Sequence, residues 1–326
     1  MKGATAGIHH ITGIAGDPQK NLDFYSGVLG LRLVKKTVNY DDPETYHFYF
    51  GDRVGAPGSI LTFFPWTASG LRGRAGAGQV TGVAFSVPRG SLGFWQRRFE
   101  HFRIEQEAPT TSRDETQIGF HDPDGLALEL VDSGDTVSEG AWSRVVPAEA
   151  AIRGFHSATL TVENAQATTD FLGSVLGLSV VRELSNCIRL ATRSGGTGSE
   201  VDVEGAPAAP RARTGVGALH HIAWRARDDE EQRVFRERIM ETGTPATPVV
   251  DRRYFRSVYF HEPGGILFEM ATDPPGFSRD EPEESLGTAL KLPPWLETLR
   301  PGLERALPVV SADRSDEWRQ MSSQAG

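Results

Sequence analysis

The sequence predicts an α+β protein of four βαβββ modules, and three observations carry that prediction. The stretch GIHHITGIAGDPQKNLDFYSGVLGLRLV at 7–34 aligns without a gap on GFHSATLTVENAQATTDFLGSVLGLSVV at 154–181, an offset of 147 residues. A second repeat, FHDPDGLALE at 120–129 and FHEPGGILFE at 260–269, alternates with the first. Upstream of each copy of the second repeat lies a matching apolar strand, VTGVAFSV at 80–87 and LHHIAWRA at 219–226. Self-similarity of this kind organises a chain more strongly than local propensity does. The modules run in the order A, B, A′, B′ and cover about 7–66, 78–132, 154–204 and 217–272. They form an N-terminal half over 1–140 and a C-terminal half over 150–275, with a tail over 276–326.

Within a module the elements read in one order. An apolar strand opens it, and a helix follows, as in NLDFYSGVLG, where Leu22, Tyr25 and Leu29 fall at helical spacing. Gly30 is a natural helix stop. Short strands then alternate, such as TYHFYFGD and SILTFFPW. The turns in HDPDG and HEPGG precede the last strand. Ser, Gly, Asp and Pro over 133–152 mark a linker. The tail offers a Pro-rich loop, a short helix from about Trp295 to Ala306, and a polar end, SADRSDEWRQMSSQAG, expected to fray.

Composition bounds the function classes. The chain has 326 residues, 38% hydrophobic and 24% charged, which suits a globular protein with a real core. The net charge is −9, and Lys and Arg are scattered without a basic stripe, which speaks against a nucleic-acid partner. One cysteine, Cys187, rules out an intrachain disulfide and fits a reducing compartment. Neither an apolar signal core nor a membrane-length apolar run is present, so a cytoplasmic location is expected, with no membrane association.

Nine histidines occur, four of them in two adjacent pairs, His9-His10 and His220-His221, each on the opening strand of its module. Strand neighbours point to opposite faces, so one member of each pair can face a shared interior. Glu129 and Glu269 lie on the last strands of B and B′ in apolar runs, where a carboxylate is costly to bury without a partner such as a metal. The repeat supplies an internal control. His10 corresponds to Ser157, and His220-His221 to Thr81-Gly82. A structural role predicts similar occupancy in every copy, whereas this uneven pattern points to one working site. His121 and His261, in matching turns, read as hydrogen-bonded core residues, and His47 as structural. Glu129 reads as paired with a basic residue or turned to solvent, and Cys187 as a buried inert thiol.

The segments GIHHIT, YHFYFGD, PGSILTFFPW, GFHS, LHHIAWR, DRRYFRSVYFHEPGGILFEMATDPPGF and LGTALKLPPWLE resemble the ring-cleaving dioxygenases of the vicinal oxygen chelate superfamily. Among these the para-hydroquinone dioxygenases are the nearest branch, and the likeness runs from about Gly7 to Leu307. The resemblance implies that modules pair into cup-shaped barrels, two in all, each module offering one ligand slot on its first strand and one on its last. Pairing A with B supplies only His10 and Glu129. Pairing A′ with B′ supplies His221 and Glu269, and His156 only after a one-residue slip. Pairing A with B′, the expected arrangement, supplies His10, His221 and Glu269, with Thr62 or Phe63 in the fourth slot. Such a set is the facial triad of non-haem Fe(II) oxygenases.

The resemblance further implies Fe(II) as the metal, with Mn(II) or another divalent ion able to take its place, held by His10, His221 and Glu269. It maps supporting roles onto His9, Thr12, His220, Arg252 and Tyr259. Tyr259 is expected to hydrogen-bond a substrate oxygen, His220 or His9 to act as acid or base, and Arg252, with Arg253 beside it, to stabilise negative charge. Strand alternation conflicts with part of this, because it turns His9 and His220 away from the face of His10 and His221. Apolar residues such as Phe268 or Trp224 are expected to flank the ring. The partners implied are a small aromatic substrate and O2, with self-association left open. A catechol-cleaving extradiol dioxygenase, a glyoxalase-like isomerase and a metal-free binding module of the superfamily are the rival readings; the isomerase takes a carboxylate in the slot of Thr62 or Phe63, and the binding module has no need of two His pairs and a buried Glu.

Overall fold

The computed structural model of the protein describes residues 3–66, 70–112, 115–133, 140–311 and Trp318. Module A holds β1 (Ile8–Ala15), α1 (Pro18–Leu22), β2 (Arg32–Asn39), β3 (Asp42–Gly51) and β4 (Ile60–Pro65). Module B holds β5 (Gln79–Val87), α2 (Leu92–Phe102), β6 (Thr110–Ser112), β7 (Glu115–His121) and β8 (Ala127–Asp132). Module A′ holds β9 (Phe155–Val162), α3 (Ala165–Phe171), β10 (Ser179–Leu184), β11 (Cys187–Ala191) and β12 (Glu200–Gly205). Module B′ holds β13 (Ala218–Ala226), α4 (Asp229–Glu241), β14 (Val250–Asp251), β15 (Arg256–His261) and β16 (Leu267–Thr272).

The helix of module A shows how local chemistry sets an element. Asp17 caps it by accepting from the Lys20 amide, and Pro18 stands at its start, where a missing N–H costs nothing. It continues as a π-helical turn over Asp23–Val28. A helix this short does not hold by itself. Leu22, Phe24, Tyr25 and Leu29 are all buried, and each such side chain contributes roughly 1.5–3 kcal/mol. Gly30 ends the helix at φ +71, a conformation that favours glycine.

The modules pair across the chain. One curled eight-stranded sheet runs β14-β15-β16-β13-β1-β4-β3-β2, joining B′ to A, and the other runs β10-β11-β12-β9-β5-β8-β7-β6, joining A′ to B. Each sheet takes one module from either side of the linker, so the two sequence halves interleave in space. The seam of the first sheet is the antiparallel pair β1 and β13, and that of the second is β5 and β9. Seams bring opening strands together, and this places the histidine pairs face to face.

The tail packs on the first sheet. Phe277 and Leu286 join Val34, Tyr49 and Tyr254 in a small buried cluster. The buried Lys35 ammonium holds Asp280 at 2.7 Å and also contacts Glu281, which anchors the loop. The tail helix α5 spans Arg300–Ala306 after a 3-10 turn at Glu297–Leu299. Apart from Ser311 and the buried Trp318, the polar end at 311–326 lies outside the described residues, as does 134–139 of the linker. Among the described residues no helix is long and apolar enough to cross a membrane.

Candidate metal centre

His10 from β1, His221 from β13 and Glu269 from β16 converge inside the first sheet, all three buried. The two Nε2 atoms are 3.3 Å apart, and Glu269 Oε2 lies 3.3 Å from the first and 3.0 Å from the second. Three donors at right angles about an ion about 2.1 Å away stand roughly 3.0 Å apart, so this spacing fits one face of a coordination octahedron. Glu269 Oε2 is buried and, among the described residues, meets no polar group other than these two imidazole nitrogens. Its other oxygen, Oε1, accepts from Ser257 Oγ at 2.5 Å. Burial alone raises the Glu269 carboxyl, but His10 and His221 hold it well below the usual carboxylate range. The donor set is therefore an ionised carboxylate and two imidazoles, with one carboxylate oxygen anchored and the other presented. These residues fit a divalent ion.

The conflict over His9 and His220 is resolved by register. Along the β1–β13 seam Ile8 pairs with Trp224 but His10 with Ala223, so His9 is an extra residue. Thr12 pairs with His221 but Gly13 with Leu219, so His220 is extra on the other strand. A bulge re-aims a side chain that plain alternation turns away. His9 Nδ1 then sits 3.0 Å from His10 Nδ1, and His220 Nδ1 sits 2.8 Å from His221 Nδ1. With both Nε2 atoms turned to the centre, each inner imidazole donates from Nδ1 to its outer neighbour, which fixes tautomer and ring plane. Burial lowers the pKa of His9, His220 and His221, that of His220 to about 4. The second sheet keeps the same register steps at Thr81 and His156, so the bulges belong to the scaffold and the imidazoles to one half of it.

The remaining expected residues surround this centre. Thr12 Oγ1 is 3.0 Å from His221 Nε2 and 2.9 Å from Thr62 Oγ1, so Thr62 takes the fourth slot with a hydroxyl. Arg252 Nε donates to Tyr259 OH at 3.0 Å, and its NH1 reaches Asp41 at 2.9 Å across the mouth of the cup. Arg253 instead adopts φ +72 and turns towards Asp280. Burial, then Glu269, raises the Tyr259 phenol, which keeps its proton.

Two further residues near the centre were not singled out by the sequence as site residues. Ser257 lies two residues before Tyr259 on β15 and so shares its face, which was the available signal. His47, read as structural, is in the cavity: its Nε2 is 2.9 Å from Thr62 Oγ1 and its Nδ1 is 2.9 Å from Tyr49 OH. Other expectations are corrected. Trp224 and Phe268 pack in the main core, since Phe268 precedes Glu269 on the strand and points the opposite way. The ring-sized space is walled instead by Tyr49, Phe64, Trp66 and Phe255, with a volume of about 370 Å³. His121 and His261 are exposed at strand ends and are not core residues.

The second cup has a cavity of about 340 Å³ but different chemistry. Ser157, Gly82 and Glu129 stand where the first cup has His10, His221 and Glu269. Glu129 Oε1 accepts from Gln117 at 3.5 Å, and Cys187 is buried. Arg189 is gripped by both oxygens of Asp202 and by Glu115 and Glu200 at 3.0 Å. Among the described residues the first cup holds the one group suited to a metal.

Residues 7–130 and 154–270 match the profile of the Glyoxalase/Bleomycin resistance protein/Dioxygenase superfamily, and the chain belongs to that superfamily. Its relatives include MhqO of Bacillus subtilis (strain 168), assigned as a ring-cleaving dioxygenase, 45% identical and covering 94% of this chain and 97% of that one. The chlorohydroquinone/hydroquinone 1,2-dioxygenase of Sphingobium indicum is 35% identical over 93% of this chain and 97% of its own. A solved structure from Bacillus subtilis subsp. subtilis str. 168, assigned as a dioxygenase, superposes with a TM-score of 0.91 at 44% identity, covering 95% of this chain and 98% of that one. Glyoxalase I from Zea mays shares the fold at TM-score 0.62 and 13% identity, covering 82% and 92%.

Proposed function

We propose that this protein is an Fe(II)-dependent dioxygenase that opens a hydroquinone-type ring with O2. The observation that carries the proposal is the convergence of His10, His221 and Glu269 at the floor of an aromatic-walled cavity. When bound there, Fe(II) supplies open positions for a ring oxygen and for O2, and the one-electron chemistry that triplet dioxygen requires.

The chain's own residues do the rest. Tyr259 accepts from Arg252, which leaves its own proton for an oxygen of the substrate. His220 accepts from His221, which leaves its Nε2–H as the remaining polar group of a ring that lines the cavity. Phe64, Trp66 and Phe255 hold the ring and exclude water. A catechol presents two adjacent oxygens to the metal, whereas a hydroquinone presents one and needs its far hydroxyl held. Asn39, Tyr40 and Asp41, from the hairpin of β2 and β3, line the mouth of the cavity, and the Arg252–Asp41 bridge ties that hairpin across the cup. A polar rim above an aromatic slot suits a para-diol.

The test is oxygen uptake by anaerobically iron-loaded protein against matched hydroquinones and catechols. Faster turnover of the hydroquinones is expected. Preference for catechols by a wide margin replaces this reading with extradiol catechol cleavage at the same centre. No uptake with either class, in protein that holds iron, refutes the dioxygenase reading and favours an isomerase.

A further inference from the structure

A second cavity, of about 280 Å³, lies next to the candidate metal centre, a rear cavity lined by His9 and by the Phe255 that also walls the aromatic slot. Phe255 lines both spaces and is the wall between them. Its buried ring stands 5.1 Å from the ring of His9 and 5.0 Å from that of His10. From Phe255 the rear cavity runs past Ile60, Ala56 and Phe277 to Ser278, which is exposed. It therefore leads from the surface to a side chain that touches a candidate metal ligand.

The lining decides what this space takes. Most of it is apolar, from Val54, Ala56, Pro57, Ile60, Phe277 and Leu286. The two carboxylates on its wall are already engaged: both oxygens of Asp273 accept from Arg225, and Glu283 is paired with Arg53. His9 uses Nδ1 on His10, and its Nε2 is buried without a hydrogen-bond partner. An ion or a sugar finds no free charge or fan of donors here. A small apolar molecule finds room, since an apolar cavity of about 150 Å³ already holds benzene or xenon. Apolar solutes also gain by leaving water for such a surface.

We infer that this rear cavity binds dioxygen and is its route to the metal centre, separate from the mouth used by the aromatic substrate. The inference rests on the ring-cleaving reading and deepens it. An aromatic ring seated between Phe64, Trp66 and Phe255 fills the front slot and closes the mouth behind it. A second route lets a diatomic gas arrive while the first is occupied, with the Phe255 ring as the barrier it passes. Phe255 is thus a positioning residue for the centre and the partition between the two reactants.

The experiment has two arms. Crystals of the metal-free protein under xenon pressure are expected to show xenon in the rear cavity, against Phe255, Ile60 and Phe277. In the iron-loaded enzyme, Ala56→Leu adds bulk to the lining of that cavity. It is expected to raise the KM for O2 several-fold while kcat and the KM for the aromatic stay unchanged, and to abolish the xenon site. Leu286→Trp, from the tail, serves as the second variant and gives the same split. Xenon absent from the cavity of an oxygen-consuming enzyme overturns the inference, as does an unchanged KM for O2 in both variants or an equal rise in both KM values. A wild type that consumes no oxygen with any hydroquinone or catechol overturns the functional reading and the dioxygen role with it, even where xenon binds.

Discussion

Removing the Ser257 hydroxyl tests whether the carboxylate of the metal centre is held in place or merely present. Ser257 Oγ donates to Glu269 Oε1, and both residues are fully buried. In Ser257→Ala no water replaces the donor easily, and the carboxylate loses the bond that aims Oε2 at the two imidazoles. A hydrogen bond to a charged group is worth about 1.5–3 kcal/mol, which corresponds to roughly 10- to 150-fold in an equilibrium constant. Outer partners of metal ligands typically cost about 10- to 100-fold in affinity when removed. The two estimates overlap, so Fe(II) affinity should fall about 10- to 100-fold. Competition against a chelator under anaerobic conditions measures it. Ser257→Cys, with a weaker donor of similar size, should fall in between, which separates a lost hydrogen bond from a packing defect. Unchanged affinity in Ser257→Ala would mean that Glu269 is oriented by something else, and the argument from its anchored oxygen would fail.

Further outcomes follow from the same geometry. His10→Ala, His221→Ala and Glu269→Ala should each abolish turnover and lower iron content with the fold largely kept, whereas Ser157→Ala and Glu129→Ala should retain iron; metal analysis of purified variants checks this. Tyr259→Phe should keep its iron and lose rate by about 10- to 150-fold, the loss of one hydrogen bond to a charged oxygen, read from single-turnover kinetics. Burial pushes Asp122 up to about 6, although backbone amides and Tyr25 OH donate to it. Its folded pKa lies above the unfolded one, so its contribution to stability declines as pH rises through roughly 4 to 6 and stays low above that. The melting temperature of Asp122→Asn relative to wild type should therefore climb across that window, and a flat difference would contradict the assignment.

The fold was legible because repeats and periodicity survive in the primary sequence. Counting ligands per module pair was enough to prefer A with B′, and β1 does pair with β13. What the sequence hid is register. A one-residue bulge at His9 or His220 depends on the partner strand 211 residues away, and no local pattern reports it. Trp224 and Phe268 were legible by contrast, since each has the opposite parity to His221 or Glu269 on its own strand and alternation alone sends it to the core. His47 was missed for a related reason. In YHFYF every position is apolar or aromatic, so alternation could not show which face looks inward, and only the pairing of Tyr49 with Thr62 does so. The rear cavity was illegible altogether, since part of its wall comes from a tail loop with no periodic signal.

The central claim is that one metal ion sits between modules A and B′. Crystals of protein loaded with Fe(II) under anaerobic conditions, with data collected at the iron absorption edge, test it most directly. The account predicts a single strong anomalous peak in the first cup, roughly 2.0–2.3 Å from His10 Nε2, His221 Nε2 and Glu269 Oε2. Iron bound in the second cup beside Glu129 and His156, or a first cup that stays empty at saturating Fe(II), would contradict it.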